Sequence, residues 1–202
     1  ERNGDHIGTG FVGTPYILHV LEATGHLDVA YRLLEQETFP SWLFPVKNGA
    51  TTIWEHWDGW TPDKGFKDAG MSSFNHYAYG AVGDWMVSTV AGLELDPAEP
   101  GYRHIRFKPH PGGSITHARA SLETGFGPAA IAWKIEDGKL ALSLRRSLDQ
   151  LGVDIAYLVL PGRRVHAGLQ VSHRRRGLVA RELGFAELLL MLGAIFADLR
   201  HG

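Results

Sequence analysis

Helices followed by antiparallel strands is the fold class this sequence predicts, and three observations carry the prediction. Apolar residues recur at helical spacing up to about Gly92. From Leu93 to about Leu144 they alternate with polar residues instead. Beyond residue 144 the charge balance reverses: residues 1–144 hold 11 basic and 17 acidic side chains, and residues 145–202 hold 9 and 5. Changes of period and of charge mark boundaries. They divide the chain into 1–92, 93–144 and 145–202.

In the first zone Thr14 is the expected N-cap of a helix, with Pro15 at the first helical position, where a missing N–H costs nothing. Ile17, Leu18, Val20 and Leu21 supply its apolar positions, and Gly25 is suited to a left-handed C-cap. A second helix is expected from about Asp28 to Glu37, with Val29, Leu33 and Leu34 near one face and Pro40 beyond its end. The short connection makes the two an αα-hairpin. A third helix is expected from Ser72 or Ser73 to before Gly92, carrying Phe74, Tyr77, Ala78, Ala81, Val82, Trp85 and Val90. Met71, Trp85 and Met86 read as packing residues.

In the second zone Ile105 and Phe107 alternate with Arg106 and Lys108, and Ser114–Glu123 alternates weakly. Ile131, Trp133 and Ile135 alternate with Ala132, Lys134 and Glu136. Asp137-Gly138 is a two-residue hairpin signal, after which Leu140, Leu142 and Leu144 resume the pattern. An antiparallel sandwich is the expected setting for such strands.

The third zone holds Arg163-Arg164, Arg174-Arg175-Arg176 and an apolar run from Leu183 to Leu199 that includes Glu187. That run is 17 residues long. A membrane span needs about 20, so a soluble or amphipathic helix is the expectation. A shifted reading frame in a GC-rich gene is a second reading, since the strand alternation stops abruptly and Arg, Leu, Ala and Gly take over.

Composition bounds the rest. Hydrophobic residues make up 44% of the 202 residues, enough for a packed core. A net charge of -2 gives no reason to expect nucleic acid or an acidic membrane as partner. The Arg clusters lack the aromatic platform that single-strand binding uses. The chain has no cysteine, which excludes disulfides and cysteine-ligated zinc. Its 11 histidines form no metal-binding spacing, so no metal or cofactor is expected. The N-terminal residues carry neither a basic region nor an apolar one, and read as the middle of a longer protein.

The chemistry-bearing segment is Gly49–Trp60, GATTIWEHWDGW. Trp54, Trp57 and Trp60 surround Glu55, His56 and Asp58. Indole faces stack on the apolar C–H faces of sugar rings while polar groups bind the hydroxyls. A carboxylate among indoles is partly desolvated, which suits acid–base work. The competing reading is a set of core Trp residues with Glu55 on a loop. In Ser72–Gly80, SSFNHYAYG, His76 is either a ligand-facing group or a satisfied core histidine. Gly8–Gly13 matches GxGxxG, but no strand precedes it, so it reads as a structural loop.

These segments together carry a resemblance. GTGFVGTPYILHVL, AYRLLEQETFPSWLFPVKNGATTIWEHWDGW and MSSFNHYAYGAVGDWMVSTVAGLE resemble the bacterial α-L-rhamnosidases, glycoside hydrolase family 78, almost without gaps from Gly8 to about Leu144. The resemblance implies the C-terminal helical hairpins of an (α/α)6 toroid followed by an antiparallel β-sandwich, both incomplete here. It implies an inverting hydrolysis of terminal α-L-rhamnose from a glycoside or oligosaccharide. It makes Glu55 the general base and His76 a residue of the sugar subsite, with Trp54 and Trp57 as pocket wall. The general acid is implied to lie in an upstream part of the same polypeptide, so this chain alone is expected to be inactive and poorly soluble. Another six-hairpin glycosidase, a phosphorylase and a non-catalytic carbohydrate-binding relic remain as alternatives. A phosphorylase needs a basic anion site, and Lys47 reads as the nearest lysine to Glu55.

Overall fold

The computed structural model describes residues 3–67, 70, 72–148 and 151–159, with 146–148 and 151–159 described by backbone. The chain forms helices first and antiparallel strands after them. It divides into two compact units: Glu1–Val90 with Pro111–Ile115, and Ala91–His110 with the chain from Thr116 on.

The first unit is built on the hairpin of α1, Thr14–Ala23, and α2, Leu27–Leu34. Thr14, expected as the N-cap, is instead the first helical residue. The loop before it turns one residue early, and the Thr14 hydroxyl donates to the carbonyl of Gly10 (2.9 Å). Gly25 does end α1, at φ +81. His26 N–H donates to Leu21 O (2.7 Å) and Gly25 N–H to Glu22 O (3.0 Å). This is the Schellman pairing, which satisfies carbonyls that a helix end leaves open. Helix α2 stops at Leu34, short of the expected Glu37. There Gln36 Oε1 takes the N–H and hydroxyl of Thr38 (3.0 and 2.7 Å), a local turn that replaces further helix.

The core of this unit gathers Leu18 of α1 and Ala30, Tyr31, Leu33 and Leu34 of α2. Each such buried large aliphatic contributes about 1.5–3 kcal/mol. Two short elements were not anticipated. One is a turn of helix, α3, Leu43–Lys47, whose Phe44 N–H is capped by Ser41 Oγ (3.1 Å). The other is a small hairpin of β1, Trp60–Thr61, and β2, Gly65–Phe66.

The expected third helix is split and starts late. It comprises α4, Tyr77–Gly80, α5, Val82–Trp85, and a π-helical turn at Met86–Val90. Its start is delayed because the backbone of residues 73–76 bonds to residues 52–55 instead. Trp85 is almost fully buried and meets Tyr31 edge-on, with ring centroids 5.3 Å apart. Its Nε1–H and the Thr89 hydroxyl both donate to Glu22 Oε2 of α1 (3.0 and 2.7 Å). Burial, and after it the charges of Glu22 and Glu35, push the Tyr31 phenol up. Met86, read as a packing residue, is 44% exposed at the start of the π turn. Met71 lies outside the described residues.

The segment Pro111–Ile115 belongs to this unit. The N–H and hydroxyl of Ser114 both donate to Glu35 Oε1 (2.8 Å each). Gly112 lies flat on the Tyr31 ring, where an added Cβ would stand 2.4 Å from ring carbon.

The second unit holds two sheets. Strands β3, Leu93–Leu95, and β4, Ile105–Phe107, pair antiparallel. Strands β5, His117–Thr124, β6, Gly127–Glu136, β7, Lys139–Leu148, and β8, Leu151–Val159, form a meander in chain order. Asp137 and Gly138 have φ +49 and +71, the two positive values a type I′ hairpin requires. The register pairs Trp133 with Leu142 and Ile131 with Leu144, and all four are buried on one face. Strand pairing continues past Leu144, where the alternation was read to end. Of the Arg-rich tail expected at 145–202, the part from 160 onward lies outside the described residues.

Candidate functional site

The loop from Gly49 to Trp60 is fixed by pairing with the segment before α4. Glu55 N–H donates to Ser73 O and His76 N–H to Ile53 O, each at 2.8 Å. The Thr52 hydroxyl donates to Phe74 O. Ser73 N–H donates back to Glu55 Oε2 (2.8 Å). Glu55 therefore exchanges two hydrogen bonds with one residue, one through its backbone and one through its carboxylate. Glu55 is half-buried, and its Oε1 has no hydrogen bond among the described residues.

His76 is the N-cap of α4. Its Nδ1 accepts the N–H of Ala78 (3.3 Å). A nitrogen that accepts an N–H must present a lone pair, so in the neutral ring the proton sits on Nε2. That leaves Nε2–H as a donor with no partner among the described residues. The Phe11 ring stacks on the imidazole at 4.6 Å and 29°. His76 is thus neither a plain core histidine nor a free surface one.

Trp54 and Trp57 are each 7% exposed. Trp54 packs edge-on against Phe74 (5.1 Å). Trp57 lies parallel to Tyr79 at 4.0 Å and 9°, with Trp42 edge-on at 5.8 Å. The Trp42 indole N–H donates to Tyr79 O (2.9 Å). These two indoles present little surface and serve chiefly to hold the loop; such aromatic pairs add about 0.5–1.5 kcal/mol each beyond burial. Gly59 lies close in the same packing: an added Cβ would meet His56 O at 3.2 Å and the Phe74 ring at 3.4 Å.

Burial raises the Tyr79 phenol above its ordinary range, and the negative charge of Glu55 adds to the effect. Phe11 and Ser73 were not singled out from sequence as site residues, whereas Tyr79 stood, with Asn75, His76 and Tyr77, among the groups at a helix start that can face a ligand. The signal was faint for each: Phe11 sat in a glycine loop, and Ser73 read as a helix cap. The structure also revises two charges. Lys47 pairs with Glu37 (2.7 Å), whereas Lys67 sits on Asp58 (2.7 Å), three residues from Glu55. Lys67 rather than Lys47 is therefore the cation of the Glu55 loop. Among the described residues, no group of three or more His, Asp or Glu could hold a metal ion. No helix among them is long and apolar enough to cross a membrane.

Residues 1–90 match the model of the bacterial α-L-rhamnosidase six-hairpin glycosidase domain. Residues 92–147 match that of the bacterial α-L-rhamnosidase C-terminal domain. An α-L-rhamnosidase of Streptomyces avermitilis is 51% identical over 143 residues, 71% of this chain and 14% of that protein. One of Formosa agariphila is 43% identical over 140 residues, 69% of this chain and 15% of that protein. The crystal structure of the Streptomyces avermitilis α-L-rhamnosidase complexed with L-rhamnose superimposes with a TM-score of 0.66 at 46% identity, over 75% of this chain and 14% of that one. That of native α-L-rhamnosidase from Aspergillus terreus gives 0.68 at 33% identity, over 88% and 20%. The chain spans only 14–15% of the length of the curated relatives it matches.

Proposed function

The chain belongs to the bacterial α-L-rhamnosidase family, and on that premise we propose that it is a segment of an inverting glycosidase in which Glu55 is the general base. The observation that carries this is the pairing of the Glu55 loop with the His76 segment. It holds one carboxylate oxygen of Glu55 and leaves the other available, on a loop bonded to the segment that carries His76, whose Nε2–H is free to donate among the described residues. The proposed substrate is a glycoside or oligosaccharide with terminal α-L-rhamnose. The proposed setting is the last hairpins of an (α/α)6 toroid followed by part of a β-sandwich.

The chemistry follows from the geometry of inversion. Glu55 takes a proton from a water placed on the sugar face opposite the leaving group. A second carboxylic acid, supplied by an upstream part of the same polypeptide, protonates the departing oxygen. The two carboxyls of such a pair stand about 6.5–9.5 Å apart, leaving room for the water. His76 Nε2–H donates to a rhamnose hydroxyl and holds the ring for attack. Trp54 and Trp57 act from behind, fixing the loop that carries Glu55. This chain alone, without the second carboxyl, is then inactive, and turnover by the purified chain would contradict the proposal.

The test is Glu55→Gln in the full-length polypeptide. The expected outcome is a fall in kcat of about 10²–10⁴-fold, the usual share of a general base, with rhamnose binding retained. Unchanged turnover removes Glu55 from the mechanism and favours a binding role for the loop.

A further inference from the structure

We propose that the backbone N–H of Ser73 is a positioning group for the Glu55 carboxylate, fixing which of its oxygens is held and which is presented. This rests on the reading of Glu55 as the base. The Ser73 N–H donates to Glu55 Oε2 at 2.8 Å, while Ser73 O receives the Glu55 N–H at 2.8 Å. The carboxylate is therefore tied to the one residue that also ties its own backbone. A glutamate side chain has several rotamers, and this closure selects those that reach Ser73. One oxygen is held, and Oε1 keeps its lone pairs, so a single oxygen is presented to water.

Ser73 also explains why its segment is not helical: its N–H and O are both committed to Glu55. The Ser73 hydroxyl takes no part, since Ser73 Oγ accepts the N–H of Asn75 (3.2 Å). The device is made of backbone. That separates it from an ordinary polar contact.

The experiment removes the N–H alone. In the full-length polypeptide, residue 73 is replaced by its α-hydroxy analogue, giving an ester in place of the amide, alongside Ser73→Ala, Ser73→Pro and Glu55→Gln. Both kcat and KM on a synthetic aryl α-L-rhamnoside are measured for each. For the ester kcat falls about tenfold or more while KM changes little. Ser73→Ala, which keeps the N–H, loses less rate than the ester. Ser73→Pro repeats the ester result if it folds, and the ester decides alone if it does not. An ester with unchanged kcat, while Glu55→Gln abolishes turnover, overturns the role of Ser73 and leaves the base intact. Full turnover by Glu55→Gln overturns both.

Discussion

The helical unit and the sheet β5–β8 are stabilised by contacts of opposite range. In the helical unit the decisive bonds join distant residues: Trp85 and Thr89 to Glu22, Ser114 to Glu35, Trp42 to Tyr79, Ser73 to Glu55. In the sheet every strand pairs with its neighbour in the chain. The hairpin turns and the alternation specify the sheet locally, so each strand needs only the one before it. The site has no such local code. Its loop is irregular, and its shape is borrowed from residues that lie tens of positions away. Closing those loops costs entropy that only packed aromatics and satisfied carboxylates offset.

That contrast can be broken or sharpened by substitutions at five positions in the full-length polypeptide. The largest effect is expected from Trp57→Ala. It removes the ring stacked on Tyr79 and the partner of Trp42, and should cost about 3–5 kcal/mol by denaturant unfolding. A loss under about 1 kcal/mol would mean that the aromatic stack does not hold the loop. Next is Glu22→Ala, which strips the acceptor from two donors at once. Leaving the buried Trp85 N–H and the Thr89 hydroxyl unsatisfied should cost about 2–3 kcal/mol. Glu22→Gln, which keeps one oxygen, should cost less; equal losses would point to charge rather than hydrogen bonding.

Smaller effects are expected where the code is local. Gly138 sits at φ +71, so Gly138→Ala should cost about 1–2 kcal/mol. Gly125 lies outside the left-handed region and has open space around it, so Gly125→Ala should be neutral or slightly stabilising. If the two alanines unfold alike, the β6–β7 turn is not what sets that register. The smallest effect concerns Asp96. Its carboxyl is held below its ordinary value of 3.8 by the hydrogen bond from His104 first, then by the N–H of Ala98 and by Arg106. A depressed carboxyl stabilises the fold fully above 3.8 and loses that contribution as the pH falls through its lower folded value. Thermal unfolding of Asp96→Asn should lack that part of the acid dependence seen in the wild type, and parallel curves would remove Asp96 from the account.

The same contrast governs how much could be read in advance. Gly25, Asp137-Gly138 and the alternation around Trp133 stood out in the sequence because glycine φ and strand period are properties of a few adjacent residues. The late start of α4 did not, because the amides of Ser73 and His76 are taken by residues twenty positions earlier, and propensity sees only neighbours. Lys67 on Asp58 and Phe11 on His76 were hidden for the same reason. Trp54 and Trp57 were visible as a cluster, yet their burial was not, since an indole reads alike whether it lines a pocket or braces it.

By itself, the sequence determined the order of helix and strand, the family of the chain and the identity of the carboxylate-bearing segment. It did so because these rest on periodicity, turn chemistry and a run of specific residues. Only the tertiary structure decided which oxygen of Glu55 is held, which nitrogen of His76 can donate, and which aromatics touch. Those depend on where distant backbone amides and rings come to rest, and no short stretch of sequence encodes that.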